Sequence, residues 1–169
     1  MPAPANWPRS RTLPEGALLA RHVGAGNYTD CLCAEVAGDV PFARFVEAFY
    51  SAKTFAPERF VLAALLGKRS TVEDIRALAE GRSDDFAAWT VEDRAERQLL
   101  LCDFQQATRS WLMVEPLAGG GTRLLFGTAV VLSGQSGARK GMGRALFWSL
   151  LWFHKAYARL LLWGAVRHL

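Results

Sequence analysis

The chain predicts an α+β domain in which an antiparallel sheet is closed by a long C-terminal helix, with short helices after the first strand. Three observations lead there. Beyond Gly81 the apolar residues alternate with period two through four segments joined by short connections. Ahead of Gly81, after one strand-like segment, they recur at helical spacing instead. From Met142 to Leu169 one amphipathic stretch runs unbroken. With 169 residues, 51% of them hydrophobic and 21% charged, the chain has enough apolar material for one core and too much for wholesale disorder.

Pro2, Pro4, Pro8 and Pro14 disfavour helix and sheet at the start, so residues 1–17 are expected to form an extended or mobile arm and residues 18–169 a single folded domain. Asn27 to Val36 alternates as a strand, with Tyr28, Leu32 and Val36 on one face and Thr29, Cys31 and Glu35 on the other. Pro41 opens a helix carrying Phe42, Phe45, Val46 and Phe49 at helical spacing, with Asp39 as its N-cap. A second helix is expected from Pro57 to Gly67. A third is capped by Ser70 or Thr71, takes Glu73 or Asp74 in its first turn, and stops at Gly81.

Four strands follow in FAAWTVED, RQLLLCDF, TRSWLMVEP and TRLLFGTAVVLS. Their connections, Asp93 to Glu96, Gln105 to Ala107 and Gly119 to Gly121, are too short for parallel crossovers, so the strands should form an antiparallel meander. Gly134 to Gly143 reads as a flexible joint. The terminal helix would then span about 40 Å if unbroken.

The net charge of +4, from 20 Lys and Arg against 16 Asp and Glu, does not demand a nucleic-acid partner, and none is expected. Three cysteines, Cys31, Cys33 and Cys102, are an odd number without paired spacing, which argues against a disulfide framework. The first residues hold no apolar run long enough for a signal peptide, so the expected location is cytoplasmic. Those cysteines with His154 are a conceivable zinc set, but Cys-x-Cys on a strand lacks the usual turn; no metal and no cofactor is expected.

On a helical wheel Leu146, Leu150, Phe153, Tyr157, Leu160 and Leu161 share the face that should meet the sheet. Opposite them lie Lys140, Arg144, Lys155 and Arg159, interleaved with Trp148, Leu151 and Leu162 and flanked by Trp152 and Trp163. Either the early helices cover this basic, Trp-rich side, or it rests on a partner or a membrane, which would make the protein peripheral to the inner membrane. Ser149, His154, Lys155 and Arg159 interrupt any run that could span a bilayer.

This order of elements resembles helix-grip domains. The motifs Tyr28-Thr29-Asp30-Cys31, Thr108-Arg109-Ser110-Trp111, and Gly143-Arg144 followed by Phe153-His154 are similar to those of a bacterial DUF-type family near the START-like, or SRPBCC, superfamily. The resemblance covers about residues 14 to 167. It implies a curved sheet wrapped around the last helix, and capture of an apolar or amphipathic molecule, lipid-like or polyketide-like, between them. It implies no particular catalytic residue.

On that reading Tyr28, Trp111, Met113, Phe153 and Tyr157 would line the cavity. Asp103 and Arg109 flank a tight connection, fall opposite one another and would pair across the strands, either as a structural ion pair or as a grip on a ligand carboxylate or hydroxyl. Asp30, on the face of Tyr28 and Leu32, needs a partner such as Arg109 if it points inward. His154, at the edge of the helix's buried face, is either a core-edge histidine or a general acid or base inside the cavity, so an enzyme on the same cavity stays open. A further alternative comes from LLFGTAVVL followed by ARKGMGRAL. This resembles the pyrophosphate loop of GNAT acetyltransferases, which would bind acetyl-CoA at a helix start, although Ala138 stands where Gln or Arg is usual.

Overall fold

The computed structural model describes residues 6–24, 27–52, 71–131 and 156–169. Alternation of β-branched, aromatic and leucine residues gives the long strands, and seven strands make one sheet: β1 Arg9–Ser10, β2 Tyr28–Val36, β3 Asp85–Phe86, β4 Trp89–Ala95, β5 Gln98–Asp103, β6 Thr108–Pro116 and β7 Thr122–Val130. All pairings are antiparallel, in the order β1-β2-β7-β6-β5-β4-β3. The meander runs from β3 to β7, and the early strand β2 then closes on β7, with Tyr28 opposite Val130 and Val36 opposite Thr122. With helices α1 Phe42–Ser51, α2 Val72–Ala79 and α3 over residues 156–166, the fold is α+β with an open sheet.

The three α-helices among the described residues lie on one face of the sheet. Phe45, Val46, Phe49 and Tyr50 of α1, Ile75 and Leu78 of α2, and Ala158, Leu161, Leu162 and Ala165 of α3 share a core with Leu32, Leu99, Leu101, Leu112, Leu124 and Phe126. Thr71 caps α2 as expected, in a box: the backbone N–H of Asp74 donates to Thr71 Oγ1 (3.2 Å) and that of Thr71 to the Asp74 carboxylate (2.7 Å). Gly81, at φ +74°, ends it. α1 differs from expectation. It starts after Pro41, which provides no side-chain cap, so Asp39 does not serve as one.

The β3–β4 segment also differs. FAAWTVED reads as one strand, yet Ala87 adopts φ 53° and turns the chain, so that Phe86 pairs with Trp89 in a small hairpin. In the middle of β4 the pairing shifts between Val91 and Asp93, leaving Glu92 as the extra residue of a bulge.

The larger departure is the N-terminal segment. Prolines do keep it extended, but it is tightly packed from well before Leu18. Trp7 meets Trp163 of α3 at 5.5 Å between ring centroids, Arg9–Ser10 add to β2 as β1, and the chain then crosses the sheet's second face. There Leu13, Ala17, Leu18 and Leu19 cover Cys31, Cys33, Leu100, Trp111, Leu125 and Ala129, forming a second core. A 3-10 helix, Leu18–His22, ends this strap. The sheet is therefore buried on both faces, which explains why β5, β6 and β7 carry apolar residues at consecutive positions.

α3 is turned by about 100°, one residue's worth of rotation, from the wheel reading. Leu162, expected on the basic side, is fully buried, and Leu160, expected inside, is 46% exposed. The turn brings Ala158 and Ala165 against the sheet, where small side chains allow close approach. The expected helix at Pro57 to Gly67, the joint at Gly134 to Gly143, and Arg144, Trp148, Leu151, Phe153, His154 and Lys155 lie outside the described residues.

Candidate functional site

At the end of the sheet where β2 begins, the helix-side face changes from apolar to polar. Leu32 and Phe126 are opposite one another; one pleat further on, so are Asp30 and Thr128, with Ser110 the next neighbour across β6. Thr128 and Ser110 are buried. Asp30 Oδ1 accepts from Thr128 Oγ1 (2.6 Å) and from the Thr128 backbone N–H (3.2 Å), while the Tyr28 hydroxyl donates to Asp30 Oδ2 at 3.0 Å. The carboxylate therefore meets neighbours on its own sheet that satisfy both oxygens.

Arg109, expected as its partner, lies on the other face. The register sets Cys102 opposite Arg109 and Leu101 opposite Ser110, one residue away from the pairing in which Asp103 would face Arg109. A slip of one residue exchanges faces. Trp111 and Met113 go with Arg109 to the strap side, where the indole N–H of Trp111 donates to Gln98 Oε1 at 2.9 Å. Asp103 remains on the helix side and stabilises the turn instead, its Oδ1 accepting from the backbone N–H groups of Ala107 (2.7 Å) and Thr108 (3.1 Å).

Arg109 finds its carboxylate in Glu92, which the bulge in β4 directs toward the strap. Glu92 Oε2 accepts from Arg109 Nε, and Glu92 Oε1 lies 2.7 Å from His22 Nε2. Arg21 pairs with the next residue, Asp93. Because of the bulge, two consecutive acids both reach the end of the strap. Burial alone would raise the Glu92 pKa, but the hydrogen bonds and positive charges of His22 and Arg109 outweigh it and hold the carboxyl below its ordinary value. No signal in the sequence linked His22 to Glu92, since 70 residues separate them.

Tyr28 is held well above its ordinary pKa, first by burial and then by the charge and hydrogen bond of Asp30, with Arg159 of α3 opposing. It stays a phenol and acts as a donor, not a base. Tyr157 of α3 packs partly buried against the helix-side core. The polar set on this face is thus Tyr28, Asp30, Ser110 and Thr128, with Arg159 of α3 close enough to act on Tyr28. Ser110 and Thr128 were missed in the sequence, although they hold the inward parity of Leu112 and Phe126 and could have been found by it.

Of the basic, Trp-rich side of α3, Arg159 and Trp163 are described. The N-terminal segment reaches both: Arg159 Nη2 donates to Ser10 Oγ at 3.0 Å, and Trp163 packs at a tilt against Trp7. Neither reading made from sequence foresaw that cover. At the far end of the sheet a cleft of about 360 Å³ is lined by Phe42, Ala79, Gly81, Arg94 and Glu96. Its guanidinium is already engaged, because Arg94 donates to the carbonyl oxygens of Leu78 (2.9 Å) and Ser83 (3.3 Å) and so secures the end of α2.

In comparisons with known proteins, the chain matches no family model, no curated protein and no solved structure. Among the described residues, no helix is long and apolar enough to cross a membrane.

Proposed function

We propose that this protein binds a small amphipathic molecule between the sheet and its C-terminal helix, in the manner of a helix-grip domain. The observation that carries the reading is the polar set at the end of an otherwise apolar wall: Tyr28, Asp30, Ser110 and Thr128 follow directly on Leu32, Phe126 and Leu112 on the face that α3 covers. Binding sites for such ligands combine apolar walls with a few placed polar groups. The apolar part of the ligand would lie beside the Leu32–Phe126 row and its hydroxyl would donate to the oxygens of Tyr28 and Thr128, whose own protons are given to Asp30. A donor phenol and a carboxylate already satisfied by its neighbours suit recognition better than nucleophilic chemistry.

Native mass spectrometry with organic extraction tests this, comparing the wild type with Thr128→Val and Tyr28→Phe. These remove hydroxyls while leaving the walls in place. An apolar or amphipathic molecule that co-purifies with the wild type and is depleted in both variants is the expected result. A wild type that carries no organic molecule, or variants that carry as much, would sink the reading.

A further inference from the structure

We propose that the outer stripe of α3, together with Trp7, docks on a bilayer surface bearing anionic headgroups. The inference is independent of any ligand held under the helix. Leu160, Trp163 and Arg167 stand at i, i+3 and i+7, which places them along one line of the helix. Leu160 is 46% exposed, Arg167 is exposed, and Trp163 is half-buried with its ring 5.5 Å from that of Trp7 and tilted 54° to it. The opposite side of α3, Ala158, Leu161, Leu162 and Ala165, is fixed in the core, so this stripe cannot roll inward.

Charge selects the partner. Over its described residues α3 and the end of the chain read AYARLLLWGAVRHL, with Arg159 and Arg167 and no acidic side chain, whereas Arg9 and Arg11 near Trp7 go with Cys33 and Cys31 to the other face of the sheet, where Arg11 pairs with Glu115. Arg167 makes no ion pair among the described residues. Indoles settle at the headgroup level, where an apolar body and an N–H are both accommodated, and an exposed leucine one turn away on the same stripe inserts below it. Guanidinium groups beside such an insertion are attracted to anionic lipid. Because the inner side of α3 is packed in the core, the stripe would meet the surface side-on, with the helix lying in its plane.

Flotation of the full chain with vesicles tests it, using pure phosphatidylcholine and phosphatidylcholine containing about one third phosphatidylglycerol. The wild type should float with the anionic vesicles and not with the neutral ones, and raising salt to about 0.5 M should release it. Leu160→Asp with Arg167→Glu in one chain should weaken flotation by at least about fivefold, with the melting temperature unchanged because both positions are exposed. Arg167→Ala alone should weaken it in the same direction, which keeps the test valid if the double variant folds poorly. Failure of the wild type to float, equal flotation with neutral vesicles, or full binding by the folded variants would each overturn the proposal; an acidic protein surface would be the partner to examine in their place.

Discussion

Leu19 occupies the space that a side chain at position 127 would need. A Cβ on Gly127 would lie 2.7 Å from Leu19 Cδ2, 2.9 Å from Trp111 Cε3 and 2.9 Å from the carbonyl oxygen of Asp30. The glycine makes a dimple in β7 and the strap fills it with a fully buried leucine. Gly127→Ala should destabilise by about 1–3 kcal/mol, since the Asp30 carbonyl belongs to the neighbouring strand and cannot yield. Leu19→Ala should cost about 2–5 kcal/mol. Combined, the two should cost less than their sum, because the cavity left by one accepts the methyl of the other. Urea unfolding of the four proteins measures this; strict additivity would refute the contact.

Gln98 holds the strap to the second face from below. Its Oε1 accepts from both the Leu18 backbone N–H and the Trp111 indole, each at 2.9 Å, and its amide donates to the carbonyl of Gly16 at 3.1 Å. Gln98→Leu leaves the fully buried indole N–H without its acceptor and should lower stability by roughly 1–3 kcal/mol. Trp111→Phe in the same background should recover part of that loss. A neutral Gln98→Leu would contradict this account.

Glu92 gives the acid limb of stability a definite sign. Its folded pKa lies below its ordinary value, the partners His22 and Arg109 outweighing burial. The resulting stabilisation is present above the unfolded value of about 4.3 and is lost as pH falls through the folded one. Wild type and Glu92→Gln should therefore differ in urea midpoint near neutrality and converge at low pH. A gap that widens on acidification would reverse the assignment.

Cys31 lies beneath the strap, where burial first, then the neighbouring Cys33 and Asp30, push its thiol up to about 12. At about pH 8 it should resist iodoacetamide in the folded protein and react once unfolded, where an ordinary thiol titrates near 8.5. Peptide mapping after alkylation with and without urea reads this directly. Rapid labelling of Cys31 under native conditions would show that the strap opens freely.

The long strands were legible because period two and short turns leave few alternatives: residues 98–103, 108–116 and 122–130 all sit inside the segments that alternate. The strap was not. Prolines announce an extended chain but not what it lies against, and Leu13, Leu18 and Leu19 resemble scattered apolar residues until the sheet supplies their partners. Without that cover, consecutive apolar residues such as Leu99, Leu100 and Leu101 cannot be assigned to faces. The candidate site was half legible for a related reason. Tyr28 and Asp30 follow from one strand's parity, whereas the place of Arg109 and Trp111 depends on the register of a turn that Asp103 tightens, and one residue decides it.

Strand order also has a consequence in time. β2 and the strap lie early in the chain, yet both are seated against β7, the last strand of the sheet. While the chain emerges from a ribosome, β3 to β6 can zip together as successive hairpins, but Leu19 has no dimple to enter and β2 has only the two residues of β1 to pair with until residues 122–130 appear. Folding of both faces is thereby tied to one late segment, and any nascent chain halted ahead of it would present two unfinished apolar surfaces together with an open strand edge.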